Sequence, residues 1–265
     1  AIARGNSIVV VGDPKQLPPT AFFQRALNDD ENNEETVAAE NSESILETVM
    51  PMFKNRRLRW HYRSRHESLI AFSNQEFYEN NLVIFPSPFE KSDSFGIALH
   101  RVQKGRFVSR RNSEEAREIV AAVAQLLKTQ PEHSLGVVAM SAEQKNEIEI
   151  QFEQAVKIDS ALSQAFDKAP ANSEPFFIQN LETVQGDERD IILISMTYGP
   201  EQIGGRTMQR FGPINSDAGG RRLNVLFTRA KKQMRIFSSM GSSDVLVSNT
   251  SKKGVRALRA FLEYC

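Results

Sequence analysis

Ile191-Ile192-Leu193-Ile194, entered from the polar run Gly186-Asp187-Glu188-Arg189-Asp190, is the clearest architectural signal in the chain. Four aliphatic residues in succession, too few for a helix and bounded by charge, read as a strand covered on both faces. Leu135-Gly136-Val137-Val138 repeats the pattern. Around these two, strand candidates at 96–102, 135–140, 176–180, 191–197 and 233–238 alternate with helical patterns at 112–128, 142–156, 217–230 and 252–263. That order builds an α/β fold, an open, mostly parallel sheet with helices on both faces. Such sheets bind ligands at the loops beyond the strands' C-terminal ends.

Nearer the start, Ser7-Ile8-Val9-Val10-Val11 reads as a further buried strand that stops at the turn Gly12-Asp13-Pro14, with Pro18-Pro19 keeping the next segment non-helical. Residues 28–44 hold seven Asp or Glu and no Lys or Arg, the composition of a solvated acidic linker. Ile45–Phe53 has the pattern of a short amphipathic helix, and Leu58-Arg59-Trp60 that of a strand. Ser64 is placed to cap a helix reaching about Phe77, with Glu67 completing a capping box. Phe72 and Phe77 fall in an apolar helical pattern and are expected in the core. The chain thus divides into residues 1–50, including the acidic linker, and a domain over 56–265. A strand so close to a first residue that is not Met suggests a piece of a longer protein.

The totals bound the function. Lys and Arg number 33, Asp and Glu also 33, so any nucleic-acid contact is local and not a global coat of positive charge. The one cysteine, Cys265, excludes an internal disulfide or thiolate metal cluster and favours a cytoplasmic setting. No apolar run approaches the roughly 20 residues that span a bilayer, and no membrane partner is expected. The four histidines, His61, His66, His100 and His133, have no metal-ligand spacing, so the expectation for metal ligands is none. Glu114-Glu115 after Asn112-Ser113 reads as structural capping at a helix N-terminus.

Four segments carry chemistry. Gly12-Asp13-Pro14-Lys15-Gln16-Leu17-Pro18-Pro19 sets an amide side chain, Gln16, on a stiff loop where it can bond a phosphate or an attacking water. Leu58-Arg59-Trp60-His61-Tyr62-Arg63-Ser64 presents Arg63, whose planar fork suits two phosphate oxygens. Glu182-Thr183-Val184-Gln185-Gly186-Asp187-Glu188-Arg189-Asp190 offers close backbone approach at Gly186 and an acceptor for a ribose hydroxyl at Glu188. In Arg221-Arg222-Leu223-Asn224-Val225-Leu226-Phe227-Thr228-Arg229-Ala230, Arg222 and Arg229 would share a helical face and could reach one site.

In order, GDPKQLPP, RWHYRS, ETVQGDERD and RRLNVLFTRA resemble motifs III, IV, V and VI of superfamily 1 helicases, most like the 5′-to-3′ branch that includes the nonsense-mediated-decay RNA helicase. Leu58–Phe72, Leu181–Asp190 and Phe261-Leu262-Glu263-Tyr264 further resemble large bacterial helicase-related proteins that often carry a Vsr-like endonuclease domain. The resemblance implies a RecA-like P-loop NTPase fold. Residues 1–50 would be the C-terminal remnant of RecA-like domain 1, and 56–265 RecA-like domain 2. ATP with Mg²⁺ is the implied cofactor, and single-stranded or duplex nucleic acid, DNA in preference to RNA, the implied partner together with domain 1 of the same parent.

Carried over by motif, Gln16, Arg63 and Arg229 are the catalytic candidates: a γ-phosphate sensor and two arginine fingers. Gly12, Asp13, Gly186, Glu188 and Arg222 are the nucleotide-binding candidates. Thr183, His61 and Arg206 are candidates for touching nucleic acid, Arg206 because it lies in the Gly204-Gly205-Arg206 loop with Arg210. The departure is the absence of a G-x-x-x-x-G-K-[ST] loop and of an Asp-Glu strand, which implies truncation and an inactive isolated piece. The alternatives are a catalytically silent RecA-like binding module and, without supporting residues here, a nuclease.

Overall fold

Alternating apolar faces and β-branched runs resolve into five strands in the computed structural model, which describes residues 5–17, 44–90, 92, 95–168 and 174–265. The strands are β1 (Gly96–Arg101), β2 (Leu135–Ala139), β3 (Phe177–Asn180), β4 (Arg189–Ser195) and β5 (Ala230–Ser238). All pair in parallel, in the order β1-β5-β4-β2-β3. The helices are α1 (Ile45–Val49), α2 (Ser68–Phe77), α3 (Ser113–Thr129), α4 (Ala142–Ile158), α5 (Ser160–Lys168), α6 (Gly219–Phe227) and α7 (Lys253–Tyr264).

Strand alternation sorts side chains between two helical layers. Leu135, Val137, Ala139, Ile191, Leu193 and Phe237 face α3, α4 and α5, where Ile119, Val123, Leu126, Ile148, Phe152 and Leu162 complete one core. On the other side α2 packs on β1 and β5 and against α6 and α7. There Phe227 and Phe261 stack with centroids 3.5 Å apart, and Phe72 meets both. The α/β RecA-like architecture with helices on both faces is therefore observed. Phe72 and Phe77 are buried as their helical pattern requires.

Two compact units divide the chain, Ala1–Arg59 and Trp60–Cys265. In the first, Ser7–Val11 is not a buried strand: Val9 and Val11 are 87% and 82% exposed, because a strand needs a neighbour and none among the described residues pairs with it. The acidic run lies outside the described residues except for Ser44, which caps α1 by accepting from Glu47 N. Pro18-Pro19 is also outside them.

Local details differ from the sequence pattern in three places. The helix expected from Ser64 begins at Ser68, with no side-chain cap at Glu67. Ser64 instead bonds His61, and the Glu67 carboxylate accepts from Ser87 N at 2.7 Å. Leu58-Arg59-Trp60 forms only an isolated bridge, Trp60 to Val83. The helical pattern at 217–230 ends at Phe227, so Arg229 lies beyond the helix and the shared-face argument for Arg222 and Arg229 fails.

Glu115 is more than a dipole partner. It is fully buried, and its carboxylate accepts from Ser195 Oγ and Thr197 N at 2.7 Å, from Ser239 N and Oγ at 2.9 Å, and from Asn112 Nδ2 at 3.1 Å. It thereby ties the ends of β4 and β5 to the start of α3. Burial outweighs these donors and lifts its pKa to about 7. An acid whose pKa rises on folding contributes stability that is complete below its unfolded value and is lost as pH climbs through the folded one. Wild type should therefore lose stability between about pH 4.5 and 7 relative to Glu115→Gln. Urea unfolding across that window tests it; parallel stability profiles for the two proteins would refute the shift.

Candidate nucleotide-sensing corner

Because β4 and β5 are parallel neighbours, their first residues lie side by side, and this edge, not the strands' C-terminal ends where a ligand site was expected, collects Arg63, Glu188 and Arg229. Arg63 is held by a short strap: His61 N donates to Val83 O at 3.1 Å and Arg65 N to Lys231 O at 2.7 Å. Within the strap the backbone N–H of Ser64 donates to His61 Nε2 at 3.1 Å, so that nitrogen is an acceptor and the ring is neutral with its proton on Nδ1. Burial, followed by the charge of Arg63, pushes the His61 pKa down to about 4.

Arg63 Nε pairs with Glu188 Oε2, and Nη1 donates to Thr228 O at 3.2 Å. Glu188 also meets Lys231 at 3.4 Å, and Lys231 in turn pairs with Glu174. Burial alone would raise the Glu188 pKa, but Arg63 and Lys231 outweigh it and hold the carboxyl below its usual range. Arg229 stands at the same corner, only 3% exposed. Its hydrogen bonds go to neutral oxygens: Val225 O at 2.8 Å, Thr228 Oγ1 at 3.1 Å and Asp187 O at 3.4 Å. Burial and then the neighbouring Arg63 lower its pKa to about 10, so it stays charged at neutral pH. Two guanidiniums beside one engaged carboxylate suit an anion of higher charge density than Glu188.

Of the residues singled out by sequence, Arg63, Glu188 and Arg229 come together. Gly186 lies in the loop leading to Glu188, with φ +95° and open space where a Cβ would be. Arg222 does not join them; in the first turns of α6 it pairs with Glu182 at 2.7 Å and bonds Ser216. Thr183 is held in a turn by Asn180 at the end of β3, and Arg206 is exposed on the loop after β4. In the first unit, Gln16 Nε2 donates to Asp13 Oδ2 at 2.9 Å, and Lys15 N to Asp13 Oδ1 at 2.9 Å. Gly12 leaves space that Leu46 occupies, since an added Cβ would stand 2.9 Å from its Cδ2.

Lys231 and Glu174 were missed by the motif reading. Lys231 follows Arg229 by two residues, a spacing that period-2 alternation from Arg229 into the strand would have flagged; nothing in sequence points to Glu174. Tyr62 was missed too, and is 89% exposed next to Arg63. Among the described residues no group of three His, Cys, Asp or Glu stands close enough to hold a metal ion. No described helix is long and apolar enough to cross a membrane.

The all-parallel sheet with helices on both faces has the architecture of a RecA-like P-loop domain, and residues 41–241 match the AAA domain family. The chain belongs to that family, among the superfamily 1 helicases of the Upf1-like branch. It is 34% identical, over 99% of its length, to an uncharacterised ATP-dependent helicase of Mycoplasma pneumoniae, of which it spans 23%. It is 25% identical to the sen1 helicase of Schizosaccharomyces pombe, covering 88% of this chain and 13% of that protein. To the 5′-3′ DNA helicase ZGRF1 of Mus musculus it is 28% identical, covering 89% of this chain and 11% of the relative. The chain thus spans less than a quarter of the curated relatives it matches.

The neutral-histidine geometry has a direct readout. In a ¹H–¹⁵N titration the His61 ring should stay neutral until about pH 4; a midpoint near 6.5 would show that the strap does not hold it.

Proposed function

We propose that this chain belongs to an ATP-driven helicase or translocase, with residues 1–50 closing a first RecA-like domain and residues 56–265 forming the second. The observation that carries the reading is the convergence of Arg63 and Arg229 on one corner, with Glu188 between them. Charge on a transferring phosphoryl group is stabilised by such preorganised guanidiniums, and a finger of this kind is worth about 10³–10⁵ in rate. Arg63, two-thirds or more buried along its side chain, can leave Glu188 for the γ-phosphate, and Glu188 then accepts from a ribose hydroxyl.

In this reading Gln16, oriented by Asp13, is the γ-phosphate sensor of the first domain and Gly186 borders the nucleotide, whereas Arg222, engaged by Glu182 and Ser216, has no part in it. The exposed ring of Tyr62 offers a face for the base. ATP, when bound, supplies the phosphoryl group; the residues here hold and neutralise it. Mg²⁺ and the β-phosphate belong in this reading to the parent's first domain. The substrate is a nucleic-acid strand, DNA in preference to RNA, in keeping with the DNA helicase among the relatives.

In the full-length parent, Arg229→Lys should keep a cation in the buried slot yet lower kcat by about 10³-fold or more, because Lys lacks the planar fork. Arg63→Ala should act similarly with a smaller cost in folding. Steady-state ATPase assays decide; unchanged turnover in both variants would remove the finger assignment. The 265-residue chain by itself should show no ATP turnover above buffer, and turnover abolished by Arg229→Ala would contradict the split-site reading.

A further inference from the structure

β5 opens Ala230-Lys231-Lys232, and strand alternation turns the two lysines to opposite faces. Lys232 meets Asp190 at 3.6 Å. Lys231 stands between two carboxylates, paired with Glu174 and 3.4 Å from Glu188 Oε1. Arg63 holds the other oxygen, Oε2, of that same Glu188. Acid and base therefore alternate along one file, Glu174, Lys231, Glu188 and Arg63, whose side chains are only 21–33% exposed. At that burial the charges are poorly screened, so a change at one end of the file is felt at the other.

Both ends of the file are fixed, and each has a neutral partner in reserve. Ser134 Oγ donates to Glu174 at 2.7 Å while accepting from Asp190 N at 2.9 Å, and Arg189 clamps the adjacent Pro175 O at 2.8 and 2.6 Å. Glu174 is thereby tied to the starts of β2 and β4. At the other end Arg63 Nη1 keeps Thr228 O at 3.2 Å. The middle is anchored by the backbone of Lys231 itself, whose carbonyl accepts from Arg65 N at 2.7 Å. Lys231 thus holds the strap that carries Arg63 as well as the carboxylate to which Arg63 is bound. Burial alone would lower the Lys231 pKa, but Glu174 and then Glu188 hold it above its usual value, and the ammonium stays charged at neutral pH.

We propose that Lys231 and Glu174 are positioning residues for the arginine finger, a switch that hands Glu188 from Arg63 to Lys231 as the phosphoryl group arrives. The inference rests on the ATP-driven reading above and adds two residues that lie outside the four motifs. A largely buried carboxylate that loses its only cation is costly; with Lys231 already at the second oxygen, Arg63 can leave without stranding Glu188. Lys231 then moves from Glu174 towards Glu188, and Ser134 keeps a donor on Glu174. No covalent bond changes and no proton moves in this exchange. Glu174 acts in the opposite sense, since it draws Lys231 away from Glu188 and so favours the resting pair with Arg63. The two residues together set how firmly the finger is held before nucleotide is bound.

The test is steady-state ATP turnover by the full-length parent, read as kcat and KM for ATP. Lys231→Met should lower kcat about tenfold, the scale of one charge-assisted hydrogen bond. KM should change by no more than about twofold, because the exchange occurs only as the finger engages. Lys231→Arg should keep most of the activity. Glu174→Gln should leave kcat at or above wild type, the opposite sign. In an Arg63→Ala background neither substitution should matter, since no pair is left to release, whereas a general loss of fold would persist there. Lys232→Met, on the other face of β5, should turn over as wild type. Should Lys231→Met fail to fold by circular dichroism, Lys231→Gln carries the same expectation, and Glu174→Gln decides alone if neither folds. Wild-type kcat in Lys231→Met, an equal fall in Lys232→Met, or a parallel fall in Glu174→Gln would overturn the switch while leaving the finger in place. Wild-type turnover in Arg63→Ala would overturn the finger and the switch together.

Discussion

Parallel pairing is the constraint on which everything else in this domain depends. In a parallel sheet every strand begins at one edge and ends at the other, so residues preceding strands and residues following them are segregated by the full strand length. Arg63, Glu188, Arg229 and Lys231 gather at the edge where β4 and β5 begin; Glu115, Ser239 and Thr197 gather where they end. Hydrophobic burial holds this arrangement, since Ile192, Leu193, Ile194, Met234 and Ile236 are fully buried between two helical layers. Neither polar edge could keep its geometry if the strands between them slipped by a residue, because a one-residue slip turns every side chain to the opposite face.

The two edges solve the problem of buried charge differently. Glu115 gathers five donors and no cation, and burial still raises its pKa to about 7. Arg229 spends its donors on neutral oxygens and keeps its charge despite burial, with a pKa near 10. A buried cation beside another cation gains greatly from an arriving anion, since Coulombic attraction grows as the local dielectric falls. The corner thus holds cationic charge that its one nearby carboxylate only partly offsets, whereas the Glu115 network is closed on itself and serves to fix loops.

Much of the fold was legible because strand burial on two faces leaves an unmistakable trace: Ile191–Ile194 and Leu135–Val138 had to be internal strands. The failures are equally physical. Ser7–Val11 carries the same apolar signal, but a strand exists only through its neighbour. Ser64 has the composition of a helix cap and was claimed instead by His61, whose neutral Nε2 needed donors. Arg229 looked helical by spacing because nothing in Phe227-Thr228-Arg229 announces a stop; α6 nonetheless ends at Phe227, with Thr228 as its C-cap at φ −108° and ψ 13°. In the site, Arg63, Glu188 and Arg229 could be chosen by residue chemistry and motif order. Glu174, 57 residues from Lys231 in sequence, becomes a neighbour only through the sheet, and no local pattern encodes that.

One segment belongs to both edges. Between Asn180, which ends β3, and Arg189, which opens β4, eight residues cross from one edge of the sheet to the other without a helix. Thr183 is pinned to Asn180 at the first edge and Glu188 to Arg63 at the second. Leu181 and Val184 are buried, at 1% and 0% exposure, and fix the first half. Asp187 is held by Gln179 at 2.9 Å, and between these anchors the chain turns at Gly186, which has φ +95° and open space where a Cβ would stand. A side chain there would meet no steric obstacle but would have to adopt the left-handed backbone, which only glycine enters freely. A glycine at this point therefore serves conformation and not space. The covalent path from the edge where β3 ends to the corner where β4 begins therefore turns at Gly186, two residues before the carboxylate that pairs with Arg63.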